Sequence, residues 1–272
     1  LLPGLATVFG ASATVGDIVG THFGNQRIGM VFGLFSKEKA LQRTIEKATN
    51  KLAQQQDRWG ALEKLKEDGT EEALVGLCRR FSITSMKGVE DEAEKTWVLD
   101  TLVQKGMSSL APVVRYMKTA EHLAFPLRVL ERIAPRDKVL EVADQLFASE
   151  PPGYVRTPER RIDLLRWFAE WKPATDDEVV SRLTPYVTDF DENVRFSAID
   201  GMAARDPAKI APPLIAALIR PEEESGRIKR AIVDVLVATK APLGDQAAAV
   251  AAALTGPLAD NFKVDGGVVK KR

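Results

Sequence analysis

The stretch DENVRFSAIDGMAARDPAKIAPPLIAAL, residues 191–218, decides the fold. It holds two amphipathic helical patterns joined by a short turn. Val194, Ala198 and Met202 recur at steps of four in the first pattern. Ile210, Leu214, Ala217 and Leu218 recur at steps of four and three in the second. Such steps place each set on one helical face. Between them, Asp206 offers an N-cap and Pro207 suits the first helical position. One such pair buries too little apolar surface to stand alone, so it must stack on others of its kind.

The rest of the chain supplies them. A small or branched residue, then Leu or Ile, then an apolar residue three further on, occurs at Ala61-Leu62 with Leu65, Val98-Leu99 with Leu102, and Val129-Leu130 with Ile133. It recurs at Leu164-Leu165 with Phe168, Ala198-Ile199 with Met202, and Ala231-Ile232 with Val235. The second member falls at 62, 99, 130, 165, 199 and 232, spacings of 37, 31, 35, 34 and 33 residues. Periods in this range mark arrays of helix pairs. Each motif is followed by a second apolar helical set, and the turns within pairs carry breakers such as Asp68-Gly69, Lys105-Gly106, Ala134-Pro135 and Lys172-Pro173. Thr70, Asp137, Asp176 and Asp206 are N-cap candidates. No segment shows sustained strand alternation.

An acidic stretch, Val-Arg, a small residue and a turn with Asp-Pro stand here as Asp191, Val194-Arg195, Ala198 and Asp206-Pro207. With these residues the stretch resembles a HEAT-type repeat, of the short bacterial kind related to phycobilin-lyase HEAT-like repeats. The resemblance is strongest over residues 190–219, extends to 57–81 and 226–254, and rests on spacing alone between 93 and 188. It implies an all-α, right-handed α-solenoid of about six HEAT-like helix pairs.

Residues 30–56 are expected to form a helical N-terminal cap, with Leu41, Ile45, Ala48 and Leu52 close to a heptad rhythm over 36–56. The repeat domain then covers 57–256, and 257–272 is a tail expected to be mobile at its end. Residues 1–29 are Gly-rich and nearly uncharged, lack a basic n-region, and read poorly as a signal peptide or a helix. They are expected to be an atypical flexible segment ahead of a natural beginning at Met30.

Composition narrows the function. Apolar residues make up 45% of the 272, enough for a sizeable core, and 28% are charged. Lys plus Arg equals Asp plus Glu, at 38 each. A net charge of zero argues against nucleic acid as a partner, because such binding draws on neutralised phosphates. The lone Cys78 excludes a disulfide framework and a multi-Cys zinc site, and fits a reducing, cytoplasmic setting. No apolar run reaches the length of a transmembrane helix.

Reactive groups do not converge in the sequence. His22 and His122 are the histidines, and neither has ligand partners at metal spacing. No HExxH, GxSxG or phosphate-cradling loop occurs. We therefore expect no enzyme, no cofactor and no metal. HEAT-type alkylpurine DNA glycosylases use Trp and Asp on a basic surface, and phycobilin lyases share the fold. These resemblances leave open a nucleic-acid-acting enzyme, or a lyase or chaperone-like modifier of a cofactor protein. Trp59, Trp97, Trp167 and Trp171 are present, with Trp167 and Trp171 one turn apart on a core stripe. The acidic loops Glu90-Asp91-Glu92, Asp189 with Asp191-Glu192, and Glu222-Glu223-Glu224 are expected along one edge of the solenoid, where they favour helix N-termini or form a ligand-binding acidic ridge.

The second helices carry the candidate site. Arg79, Arg115 and Arg182 fall at comparable positions, with Tyr116 beside Arg115. They would form a partial basic ladder on the inner surface, with Tyr116 as a flat contact. The expected function is a non-enzymatic scaffold or adaptor that binds a protein or peptide on the concave face.

Overall fold

Helices form where the apolar steps fall, and the breakers become turns. The computed structural model describes the backbone of residues 25–272 and the side chains of residues 36–272. Two units divide the chain, Leu1–Gln42 and Arg43–Arg272. The described chain is all-α apart from one short hairpin. Helix α1 (Asn25–Ala48) comes first. Then come α2 (Gln55–Asp68) with α3 (Glu71–Cys78), α4 (Gly88–Lys105) with α5 (Leu110–Met117), and α6 (Ala124–Ile133) with α7 (Arg136–Ser149). The later pairs are α8 (Glu159–Glu170) with α9 (Asp176–Leu183), α10 (Glu192–Met202) with α11 (Pro207–Ile219), and α12 (Gly226–Thr239) with α13 (Ala247–Ala253).

The first helix of each pair touches the first helix of the next, from α2 through α12. Among the second helices, α3 touches α5, and α9, α11 and α13 touch in order. Val194, Ala198 and Met202 are all fully buried. Gly201 is set closer still: a Cβ there would lie 2.7 Å from Leu183 Cδ2 and 2.8 Å from Ala169 Cβ. Caps set the starts of several helices. Thr70 accepts from the Ala73 N–H, and Asp206 accepts from the Ala208 N–H. At α9 the cap is Thr175 rather than Asp176, because Thr175 and Glu178 form a reciprocal capping box. Asp137 lies inside the first turn of α7, after Pro135 at the cap position.

Three expectations need correction. The N-terminal helix ends at Ala48 and does not run to 56. Thr49 Oγ1 donates to the Ile45 carbonyl, and Asn50 Oδ1 accepts from the Leu52 N–H, so a side-chain-closed turn replaces the helix. Leu52 is consequently 79% exposed, whereas Ile45 and Ala48 are buried. That helix also starts at Asn25, inside the segment 1–29 expected to be flexible, while residues 1–24 lie outside the described residues.

The tail is the second correction. Residues 257–272 hold α14 (Pro257–Asn261) and an antiparallel hairpin of β1 (Phe262–Asp265) and β2 (Val268–Lys271). Gly266 and Gly267 both take positive φ, as a tight two-residue hairpin turn requires. Phe262 and Val269 are buried, Arg230 lies over the Phe262 ring at 4.9 Å, and the Leu243 N–H donates to the Gly267 carbonyl.

The third concerns the acidic loops. One carboxylate of each is buried: Asp91, Asp189 and Glu223. Arg161 of α8 donates to Asp189 at 2.8 Å, and Arg195 of α10 sits 2.8 Å from Glu223. Both partners lie 28 residues downstream. At the first junction the network is larger. Fully buried Glu94 accepts from Arg58 and, at 2.7 Å, from Arg80. Arg80 also donates to Asp91, which accepts from Lys95 and the Ser85 N–H. A buried guanidinium is tolerable only when its charge and donors are matched, so these carboxylates are drawn inward.

Ala198→Asp should lower unfolding free energy by about 3 kcal/mol in denaturant titration, because the new carboxylate has no partner. Phe262→Ala should cost about 3 kcal/mol in the same measurement, whereas a loose tail would show no change. Burial opposes ionisation of Asp91, but hydrogen bonds from Lys95, Ser85 and Arg80 outweigh it and hold the carboxyl at about 2. Its folded pKa lies below the unfolded one. The stability it contributes is therefore complete above about pH 4 and is lost as pH falls toward about 2. Asp91→Asn should flatten that acid limb by about 2 kcal/mol in denaturant titrations across pH.

Candidate functional site: a groove across the second helices

Arg79 lies just past α3, in a 3-10 turn of residues Arg79–Ser82. It is exposed and its side chain makes no hydrogen bond or ion pair among the described residues. Arg115, on α5, is exposed but committed. Its guanidinium reaches Glu72 at 2.5 and 2.8 Å and Glu71 at 3.1 Å, both in the first turn of α3. This contact, with a smaller push from Arg79, holds the Glu72 carboxyl below its usual value. Arg182 is also committed: Nε donates to Asp144 of α7 at 2.8 Å, and the guanidinium lies 5.2 Å from the Phe168 ring centre. Arg136 of α7 reaches Glu178 of α9 in the opposite sense. These charges brace neighbouring second helices.

Tyr116 is 6% exposed and packs against Phe81, so it cannot be the flat surface contact expected of it. Steps of three from Val113 carry it onto the buried face of α5. Its hydroxyl is buried with no hydrogen-bond partner, and burial pushes its pKa well up. The neighbouring Ser82 hydroxyl exerts a smaller opposite pull; it donates to the Arg79 carbonyl at 2.8 Å, which leaves its own lone pairs free to accept.

Arg79, Arg115 and Tyr116 nevertheless meet in one pocket of about 480 Å³, with Val75, Ser82 and Glu121 in its wall. Arg182 lies outside it. A second concavity of about 480 Å³ separates α5 from α7, lined by Val114, Met117, Val142 and Leu146, with Lys118 and Gln145 among its polar residues. Thr119, Ala120 and Glu121 line both, so the two concavities adjoin at this loop.

Arg160 of α8 closes the groove wall. It donates to the Met117 and Ala120 carbonyls and to Glu150, satisfying the C-terminal end of α5. Sequence reasoning missed Arg160 and Glu121, because both come from outside the aligned second-helix positions. The sequence gives His122 no carboxylate at ligand spacing, Glu121 beside it being directed elsewhere. The fold brings Asp163 to 3.6 Å from its Nδ1, and the same carboxylate accepts from the Leu123 N–H. Trp167 and Trp171 stack on each other in the core, and the Trp167 indole N–H donates to Glu131. Trp59 and Trp97 meet edge to face at 5.3 Å and are half-buried.

Among the described residues, no helix is long and apolar enough to cross a membrane. Comparison with protein-family models, with curated proteins and with solved structures finds no match to this chain.

Proposed function

We propose that this chain is a non-enzymatic scaffold or adaptor of the cytoplasm, built as a right-handed solenoid of HEAT-like pairs, that holds a protein or peptide along its second helices. The observation that carries the reading is the pair of adjoining concavities along α3, α5 and α7. Its apolar wall and its rim of Arg79, Lys118 and Glu121 offer burial and direction together. A partner segment laid there would cover half-buried Val114 at about 25 cal/mol for each Å² removed from water, over a floor of Val142 and Leu146 that is already buried. Burial of Trp167 and Trp171 favours this reading over an enzyme that would stack nucleic-acid bases on them. The buried Cys78, whose thiol pKa is raised by burial, fits a packing role in a reducing compartment.

Gln145 and Ser149 are exposed groove residues. Gln145→Trp with Ser149→Trp should block the groove while leaving unfolding free energy within about 0.5 kcal/mol per site. The blocked variant should lose the protein that the parent chain captures from native cell extract. Undiminished capture by a folded variant would place the partner elsewhere.

A further inference from the structure

We propose that the pocket between the C-terminal half of α1 and the first half of α2 is an anion site, built for a compact diphosphate. It lies on residues 43–64, shares no residue with the groove, and does not depend on the scaffold reading.

The two walls follow from helical spacing. Arg43 and Lys47 stand one turn apart on α1, and Gly60 and Lys64 stand one turn apart on α2. Steps of four put each pair on one helix face, and the two faces line a single pocket of about 650 Å³. Small residues, Ala53, Gly60 and Ala61, leave the space open; a Cβ added at Gly60 would meet nothing within 4 Å. Both walls are held. Ile45 of α1 sits so close to Gly76 of α3 that a Cβ there would lie 2.7 Å from its Cγ1. At the corner between α1 and α2, the Thr49 hydroxyl donates to the Ile45 carbonyl and Arg58 donates to the Ala53 carbonyl. A ligand therefore need not order the helices in order to bind.

Charge names the ligand. Arg43, Lys47 and Lys64 are exposed and make no hydrogen bond or ion pair among the described residues. Elsewhere in the chain, Arg58, Arg80, Arg136, Arg161, Arg182 and Arg195 are each answered by an acid. Asp57 is the one acid in the pocket lining, so three cations face one carboxylate there, although the whole chain is balanced at 38 of each sign. Like charges one turn apart repel, and an anion set between them removes that cost. The rest of the lining includes Thr44, Asn50 and Gln56, which suits a small hydrophilic anion better than an apolar group. A diphosphate presents phosphoryl oxygens to both walls and carries more charge than a single phosphate, which brings about −1.5 to −2.

The test uses the full chain with inorganic pyrophosphate, inorganic phosphate and ADP, followed by isothermal titration calorimetry and by melting temperature. Pyrophosphate should bind one to one, about tenfold more tightly than phosphate, and should raise the melting temperature. Arg43→Gln, Lys47→Gln and Lys64→Gln should each weaken it by about fivefold or more, and Asp57→Asn should tighten it. Without ligand, the three cation variants should melt no lower than the parent, because no protein partner is lost. Lys172, an exposed cation in the turn after α8, is the control. Lys172→Gln makes the same change in net charge and should leave the affinity as it is. Absence of pyrophosphate binding, or an equal loss in Lys172→Gln, would overturn the site. Unchanged affinity in Lys64→Gln would overturn the two-walled arrangement. Tighter binding of ADP than of pyrophosphate would overturn the compact-anion assignment, because the nucleoside would then be read as well.

Discussion

An arginine taken out of water must bring a carboxylate with it, and that constraint organises the junctions between helix pairs. Arg58, Arg80, Arg161 and Arg195 are each buried or nearly so, and each is answered by an acid from the following junction. The pairs are not large net sources of stability, since desolvation offsets most of their attraction. What they exclude is slippage. A helix pair shifted by one turn would strand a charge in the core, at a cost of several kcal/mol. Apolar side chains alone tolerate such a shift far better, because leucine and valine faces repeat along the helix.

Register fixed on the first helices leaves the second helices freer to diverge. Their links are exposed ion pairs such as Arg115 with Glu72, Arg136 with Glu178 and Lys209 with Asp177. Exposed pairs of this kind contribute little each. They orient α3, α5, α7 and α9 while allowing space between α5 and α7. The groove is therefore a product of unequal packing: tight where Gly201 admits Leu183 and Ala169, open between α5 and α7, where Arg160 and Gln145 are among the lining residues.

Helix pairing was legible in the sequence because apolar steps of three and four need no knowledge of the partner. Asp206 and Thr70 were readable as caps for the same reason, since capping is local. The buried fate of Asp189 and Glu223 was not. An acidic residue before a helix looks the same whether it faces water or an arginine on the preceding first helix. The clue was the repetition of both members, Arg161 with Arg195 and Asp189 with Glu223, each 34 residues apart. The hairpin had a signal too, Asp265-Gly266-Gly267 between two short valine-bearing runs, but four residues are too few for alternation to stand out. At the candidate site, the pocket formed by Arg79, Arg115 and Tyr116 was within reach of alignment. The burial of Tyr116 and the engagement of Arg182 depended on helices contributed by other pairs.

The distribution of these junctions has a mechanical consequence. Buried ion pairs lock the first junction and the last two, whereas the middle is joined by aromatic stacking of Phe81 on Phe125 and by Arg160, which grips carbonyl oxygens and the partly exposed Glu150. Stacked rings slide, and a guanidinium can exchange one carbonyl for another. A bend of the helix pairs near α5 and α7 would therefore meet less resistance from buried charge than a bend at the first junction or the last two. The concavity between α5 and α7 lies in that stretch, so widening it would leave the buried pairs of Arg58, Arg80, Arg161 and Arg195 intact.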